Sequence, residues 1–92
     1  MDIGTAIKTF RTKRGISQKD LAKYAGISTN ALCSIEKDKS FPSKETINAI
    51  CDVLEVSVGY LLFASITDDD VPPQKLEVFK ALQEPLLKLF GI

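Results

Sequence analysis

The sequence predicts an all-α protein: five short helices over residues 1–66, a linker at 67–73, and a helical tail at 74–92. Three observations support this. Apolar residues recur at intervals of three and four rather than two, the period of a helix with one buried face. Serines stand just ahead of three such runs, at Ser17, Ser28 and Ser43, where a hydroxyl can accept from a free backbone amide. Gly15, Gly26 and Pro42 fall where the runs stop.

The elements follow in order. Ile3, Ile7 and Phe10 mark a first helix over about 2–14, with Gly15 as its stop. Ser17-Gln18-Lys19-Asp20 has the form of a capping box, and Leu21, Ala22 and Ala25 form the buried stripe of a short second helix. Gly26 ends it, because a left-handed residue there costs glycine nothing. Ser28 caps a third helix over about 28–37 that buries Leu32 and Ile35. Pro42 blocks its continuation, and Ser43 opens a fourth helix at 44–54 with Ile47, Ile50, Cys51 and Leu54 on its core face. Val56-Ser57-Val58 leads to a fifth short helix carrying Tyr60, Leu61 and Leu62. Successive acids and paired prolines over Thr67–Pro73 read as an extended linker. Beyond it, Pro85 either kinks the tail helix or opens a second one.

Composition narrows the function. Ninety-two residues allow one domain and a small appendage, and 45% apolar with 26% charged residues is ordinary for a globular chain. There is no histidine, which removes the commonest general base and the commonest metal ligand. Cys33 and Cys51 are too few for a disulfide framework and lack metal-ligand spacing. Asp68-Asp69-Asp70 reads as hydrated linker rather than a cation site. No enzyme activity, cofactor or metal is expected. No apolar run approaches the roughly 20 residues that cross a bilayer, and the first residues do not resemble a secretory signal, so a cytoplasmic protein without membrane partners is expected. The net charge is zero but unevenly placed. Residues 1–44 hold nine Lys or Arg against four acids, a net of +5, while residues 45–70 hold six acids and no base. One basic end suits a phosphate-facing surface.

The informative unit is the second helix, the turn at Gly26 and the third helix. A tight turn sets two short helices at a steep angle, and the second can then lie in a DNA major groove. Residues on its outer face must be short and able to hydrogen-bond, so that the helix axis approaches the base edges. Thr29, Asn30 and Ser34 meet that requirement. Asn30 can offer a bidentate amide to adenine, and Thr29 can pack its methyl on thymine or bond a base edge. Cys33, beside them, is read as an ordinary thiol.

Arg11, Gly15-Ile16-Ser17-Gln18, Leu21-Ala22, Gly26-Ile27-Ser28 and Ile35-Glu36 together resemble the Cro/repressor helix-turn-helix family of phages and bacteria, often called Xre-like. The resemblance continues through Pro42, Ile47, Leu54-Glu55-Val56-Ser57-Val58 and Leu61-Leu62. It implies a five-helix, lambda-repressor-like DNA-binding domain. Carried over by position, it implies that Thr29, Asn30 and Ser34 read bases and that Gln18, Lys39 and Lys44 contact phosphate. It also implies that Arg11 and Glu36 form a structural salt bridge between the first and third helices. Asp38 departs from the pattern, standing where the family usually has glycine; aspartate tolerates the left-handed conformation better than most residues. Cys51 stands where alanine is frequent.

The tail carries an apolar surplus: Leu76, Phe79, Leu82, Leu86, Leu87 and Phe90 follow an approximate helical stripe. A two-fold dimer contact is the expected use, which would set two reading helices about 34 Å apart on a palindromic site. The stripe could instead fold back on its own domain. The expected function is a sequence-specific double-stranded DNA-binding transcriptional regulator, a homodimeric repressor. The alternative is an antitoxin or other interaction module whose tail binds a different protein while DNA binding serves autoregulation. No motif points to a small-molecule effector.

Overall fold

The computed structural model describes residues 1–89, all helical or irregular, with no strand among them. The helices are α1 (Ile3–Lys13), α2 (Gln18–Ala25), α3 (Thr29–Glu36), α4 (Lys44–Leu54), α5 (Val58–Ala64) and α6 (Leu76–Leu89). Five of the six begin on a side-chain cap. Asp2 accepts from Thr5 N, and Ser17, Ser28, Ser43 and Ser57 each accept from the amide three residues on. Each such cap is worth about 1 kcal/mol. Of the capping box at Ser17, only the serine arm forms (Ser17 Oγ to Asp20 N, 3.0 Å).

The first four helices end alike. In each, the second residue past the last full turn donates back to a carbonyl five residues earlier, and the residue before it adopts the left-handed conformation. The bonds are Ile16 N to Arg11 O, Ile27 N to Ala22 O, Lys39 N to Ser34 O and Val56 N to Cys51 O. The left-handed residues are Gly15 (φ 70°), Gly26 (φ 74°), Asp38 (φ 58°) and Glu55 (φ 57°). These are Schellman turns, which satisfy the last carbonyls of a helix.

α2 packs against α3 and α4, while α1 packs against α3 and α5. Ile3, Ile7, Leu21, Leu32, Ile50, Leu54 and Leu61 lie almost wholly out of solvent between them. Burying each contributes about 1.5–3 kcal/mol, and this offsets the ordering of so short a chain. Phe10 of α1 meets Tyr60 of α5 edge to face, with ring centroids 5.4 Å apart. Asp2 N donates to Ser65 O at 2.7 Å, tying the start of α1 to the end of α5. Cys51 is buried, and burial pushes its thiol pKa up, which suits a small inert core residue.

The acidic run differs from the extended segment its composition suggests. Asp68–Asp70 forms a 3₁₀ turn capped by Thr67, whose amide and hydroxyl both donate to Asp70 (2.8 and 3.0 Å), and Pro73–Lys75 forms another. Of the two readings of Pro85, the second helix start is not seen: α6 runs from Leu76 to Leu89 with Pro85 inside it. The missing bond falls on the carbonyl four residues back, at exposed Ala81, where water can replace it.

The tail stripe divides into two faces. Leu76, Phe79 and Leu87 are half-buried, with Phe79 set edge to face against Phe63 of α5 (6.1 Å) and Leu87 O accepting from Tyr60 Oη (3.3 Å). Lys80 pairs with Asp68 at 3.1 Å. Val78, Leu82, Leu86 and Leu89 face outward with 62%, 58%, 41% and 74% of their surface exposed. Phe90 lies outside the described residues. Among the described residues no single helix is long and apolar enough to cross a membrane.

Candidate nucleic-acid interface

The turn between α2 and α3 is only Gly26-Ile27-Ser28, and its direction is fixed at both ends. Gly26 supplies the left-handed φ, Ile27 packs against the core, and Ser28 Oγ accepts from Ala31 N at 3.0 Å. The first turn of α3 therefore starts at once, with Thr29 and Asn30 in its first two positions. Both side chains are exposed, and neither makes a hydrogen bond among the described residues. Ser34, one turn further on, is half-buried, as is Cys33 beside it. Two of the three proposed readers thus stand clear of the protein, while the third sits at the edge of the packed face.

Behind the reading helix lies a buried ion pair. Glu36 ends α3, and its carboxylate is nearly inaccessible. Arg11 Nε donates to Glu36 Oε2 at 2.7 Å and Arg11 Nη2 to Oε1 at 3.1 Å, a two-pronged contact that matches guanidinium to carboxylate geometry. Arg11 Nη1 also donates to Ile16 O at 3.0 Å. Gln18, the first residue of α2, donates from Nε2 to Glu36 Oε1 at 3.0 Å. One carboxylate thereby joins α1, α2 and α3. Gln18 still has one amide proton and its carbonyl oxygen to offer a ligand. As a first-turn residue, its backbone amide has no partner within the helix either.

Lys39 and Lys44 flank the loop between α3 and α4. Both are exposed, and neither has an acidic partner among the described residues. Pro42 between them is buried and pins the loop, while Phe41 is 67% exposed. Asp38 performs more than the sequence suggested. Besides taking the left-handed position, its Oδ1 accepts from Gly4 N at 3.1 Å, and its carboxyl shares a hydrogen bond with that of Asp2. That shared bond holds the Asp2 pKa below the ordinary aspartate value and pushes the Asp38 pKa above it. Gly4 permits the contact, since a methyl there would collide with Ile35 O and the Asp38 carboxylate. A glycine inside the first apolar run was the one local signal of this close approach.

The arrangement is a short exposed helix turn with amide and hydroxyl groups, flanked by free cations and braced by a buried salt bridge. A family model for the helix-turn-helix matches residues 7–61. The chain belongs to the Xre-like helix-turn-helix family. It is 34% identical over 62 residues to the immunity repressor of Bacillus phage phi105, covering 67% of this chain and 43% of the repressor. It is 35% identical over 72 residues to the HTH-type transcriptional regulator YazB of Bacillus subtilis, covering 78% of this chain and 91% of that one. The structure of SinR, the master regulator for biofilm formation, in complex with DNA is 39% identical with a TM-score of 0.62, covering 65% of this chain and 97% of that one. The chain spans about half the length of the phage repressor and of the full SinR sequence of Bacillus subtilis, 43% and 55% respectively. These relatives of the Xre-like chain are named as regulators and a repressor, and none as an enzyme.

Proposed function

We propose that this chain is a sequence-specific double-stranded DNA-binding transcriptional regulator, a repressor acting as a homodimer on a palindromic operator. One observation carries the reading. Thr29 and Asn30 project unpaired from the first turn of α3, the part of a recognition helix that meets base edges in the major groove. In this reading Thr29, Asn30 and Ser34 contact bases, and Gln18, Lys39 and Lys44 contact phosphate. The chain acts in the cytoplasm on duplex DNA, without a membrane partner. It divides into a DNA-binding domain at 1–66, a linker at 67–73 and a dimerisation segment at 74–92.

The outward stripe of α6 supports the dimer. Its exposed leucines, Leu82 and Leu86 among them, form an apolar face that a second copy would cover by two-fold symmetry, whereas Phe79 and Leu87 are engaged with their own α5 and Leu76 is half-buried. That stripe also supports a second reading, in which a different protein covers it and DNA binding serves autoregulation.

Electrophoretic mobility shift against random and palindromic duplexes tests the first reading: a salt-sensitive shift is expected, strongest on a palindrome. Absence of salt-sensitive binding to every duplex ends it. Light scattering at micromolar concentration separates the two uses of α6. A homogeneous dimer supports self-pairing, and a monomer supports a different partner.

A further inference from the structure

Four Schellman turns close α1 to α4, and three are anchored in the same way. The residue after the left-handed position is Ile16, Ile27 or Val56, each packed against the hydrophobic core. A hydrophobic contact at that place is the usual companion of the motif. At the end of α3 the corresponding residue is Lys39, exposed and charged. Its backbone is fixed by Lys39 N to Ser34 O (2.9 Å), but its side chain adds nothing to the core. An exposed turn without an apolar anchor is expected to open more readily.

The missing anchor is supplied from the neighbouring residue. Asp38 Oδ1 accepts from Gly4 N at 3.1 Å, across 34 positions of sequence, and Gly4 has no side chain to keep the loop away. A glycine at position 38 would meet the backbone need with less strain, because φ is 58° there. Only a residue with a side-chain acceptor can also fasten the loop to α1. We infer that Asp38 is a positioning residue for DNA: its carboxylate clamps the α3–α4 loop to the amino-terminal turn of α1 and so presents Lys39 to a phosphate. The inference rests on the DNA-binding reading and adds to it the reason an acidic residue stands in a phosphate-facing loop. The acid, itself exposed, is engaged by Gly4 and Asp2, while the exposed lysine after it has no acidic partner among the described residues.

Three full-length chains decide the matter: wild type, Asp38→Gly and Asp38→Asn. Glycine keeps the left-handed turn and loses the clamp; asparagine keeps both the conformation and an Oδ1 acceptor. Titration against a pool of random-sequence duplexes at several salt concentrations gives affinity and salt slope together. Asp38→Gly is expected to bind about 3- to 10-fold more weakly and to lower the slope of log K against log salt by about 1, the loss of one phosphate contact. Asp38→Asn is expected to keep the wild-type slope. Amide exchange at Gly4 should speed up in Asp38→Gly and stay slow in Asp38→Asn. Wild-type binding with an Asp38→Gly slope unchanged, or an Asp38→Asn slope that falls as far as that of Asp38→Gly, overturns the clamp alone. A wild-type chain that binds no duplex overturns the DNA reading and the clamp together.

Discussion

Gln18 Nε2 lies 3.0 Å from Glu36 Oε1, the same oxygen that receives Arg11 Nη2 at 3.1 Å. The start of α2 and the end of α3 are thus joined through a buried carboxylate rather than by the Gly26 turn alone. The angle between the two helices is set at both its vertex and its open end. A reading helix must hold its angle against the groove, so this bond links a packing feature to the proposed recognition.

The first prediction concerns that carboxylate. Glu36→Ala leaves the Arg11 guanidinium, only 11% exposed, facing a void without its counter-charge. Breaking one member of a buried pair in this way costs about 3–5 kcal/mol. Urea unfolding should show a fall of that size. Replacing both members, Arg11→Met with Glu36→Leu, should recover most of it, since the desolvation of the pair is then avoided. A double variant as unstable as Glu36→Ala would mean that the cost lies elsewhere.

Glu55 offers a second test, because it holds φ 57° with no side-chain bond of its own among the described residues. Its carbonyl accepts from Arg14 Nη2 at 3.5 Å, a contact that survives any change of side chain. A non-glycine residue in this conformation costs about 1–2 kcal/mol, partly offset by the larger unfolded-state entropy of glycine. Glu55→Gly should therefore raise the thermal midpoint by several degrees. The same exchange at position 38 removes a clamp as well as strain, so Asp38→Gly should gain less or lose. Equal gains at both positions in a melting experiment would contradict the distinction.

How much of this was legible beforehand depended on range in sequence. The caps at Ser17, Ser28 and Ser43 and the stop at Gly26 act within four residues, so the local sequence contained everything that decides them. The exposure of Thr29 and Asn30 followed from the same local turn. The Asp38 bond to Gly4 spans 34 residues, and no local pattern encodes a partner at that distance. Asp68–Asp70 coils into a 3₁₀ turn because Thr67 caps it, an interaction that charge and proline content alone obscure. In the tail, the period was readable, but which side of the stripe would meet α5 was not. That depended on where Phe63 and Tyr60 stand once the core has formed.

The pair Asp2 and Asp38 predicts a pH response. Asp2 titrates below its usual value, chiefly because the Asp38 carboxyl bonds to it, so its contribution is present above the ordinary aspartate pKa and is lost as pH falls through the lowered one. Asp38 titrates above its usual value, chiefly through the same bond, so its contribution is complete in acid and fades as pH rises through the raised one. Asparagine at position 38 is a permanent neutral donor and does not fade. Thermal midpoints of wild type and Asp38→Asn, taken from about pH 3 to about pH 7, should therefore diverge in favour of the variant as pH rises. Parallel curves would show that the two carboxyls do not interact in solution.

On the proposed DNA reading, base and phosphate contacts should separate cleanly. Asn30 is unpaired and can meet a base edge, so Asn30→Ala should cost about 1–3 kcal/mol on a selected operator and little on random duplex. Lys44 is a flanking cation, and Lys44→Ala should weaken every duplex alike with a shallower salt slope. Competition binding on both kinds of duplex makes the comparison. Equal losses from both variants on every sequence would remove Asn30 from the reading set.

The last prediction separates the two faces of α6. Leu82 is 58% exposed and on the outward side, so a charge placed there meets water in an isolated chain. Leu82→Glu should change the stability of that chain by no more than about 0.5 kcal/mol, because most of the residue's surface already meets water. In the proposed dimer the same carboxylate would be buried opposite its own symmetry copy, and two like charges without partners do not tolerate burial. Light scattering should therefore report a monomer, with the far-ultraviolet circular dichroism unchanged. Phe79→Ala acts on the other face, where it removes the ring that meets Phe63. It should loosen α6 from α5 and lower the melting temperature even in a monomer. A Leu82→Glu chain that stays dimeric would place the two-fold contact away from α6.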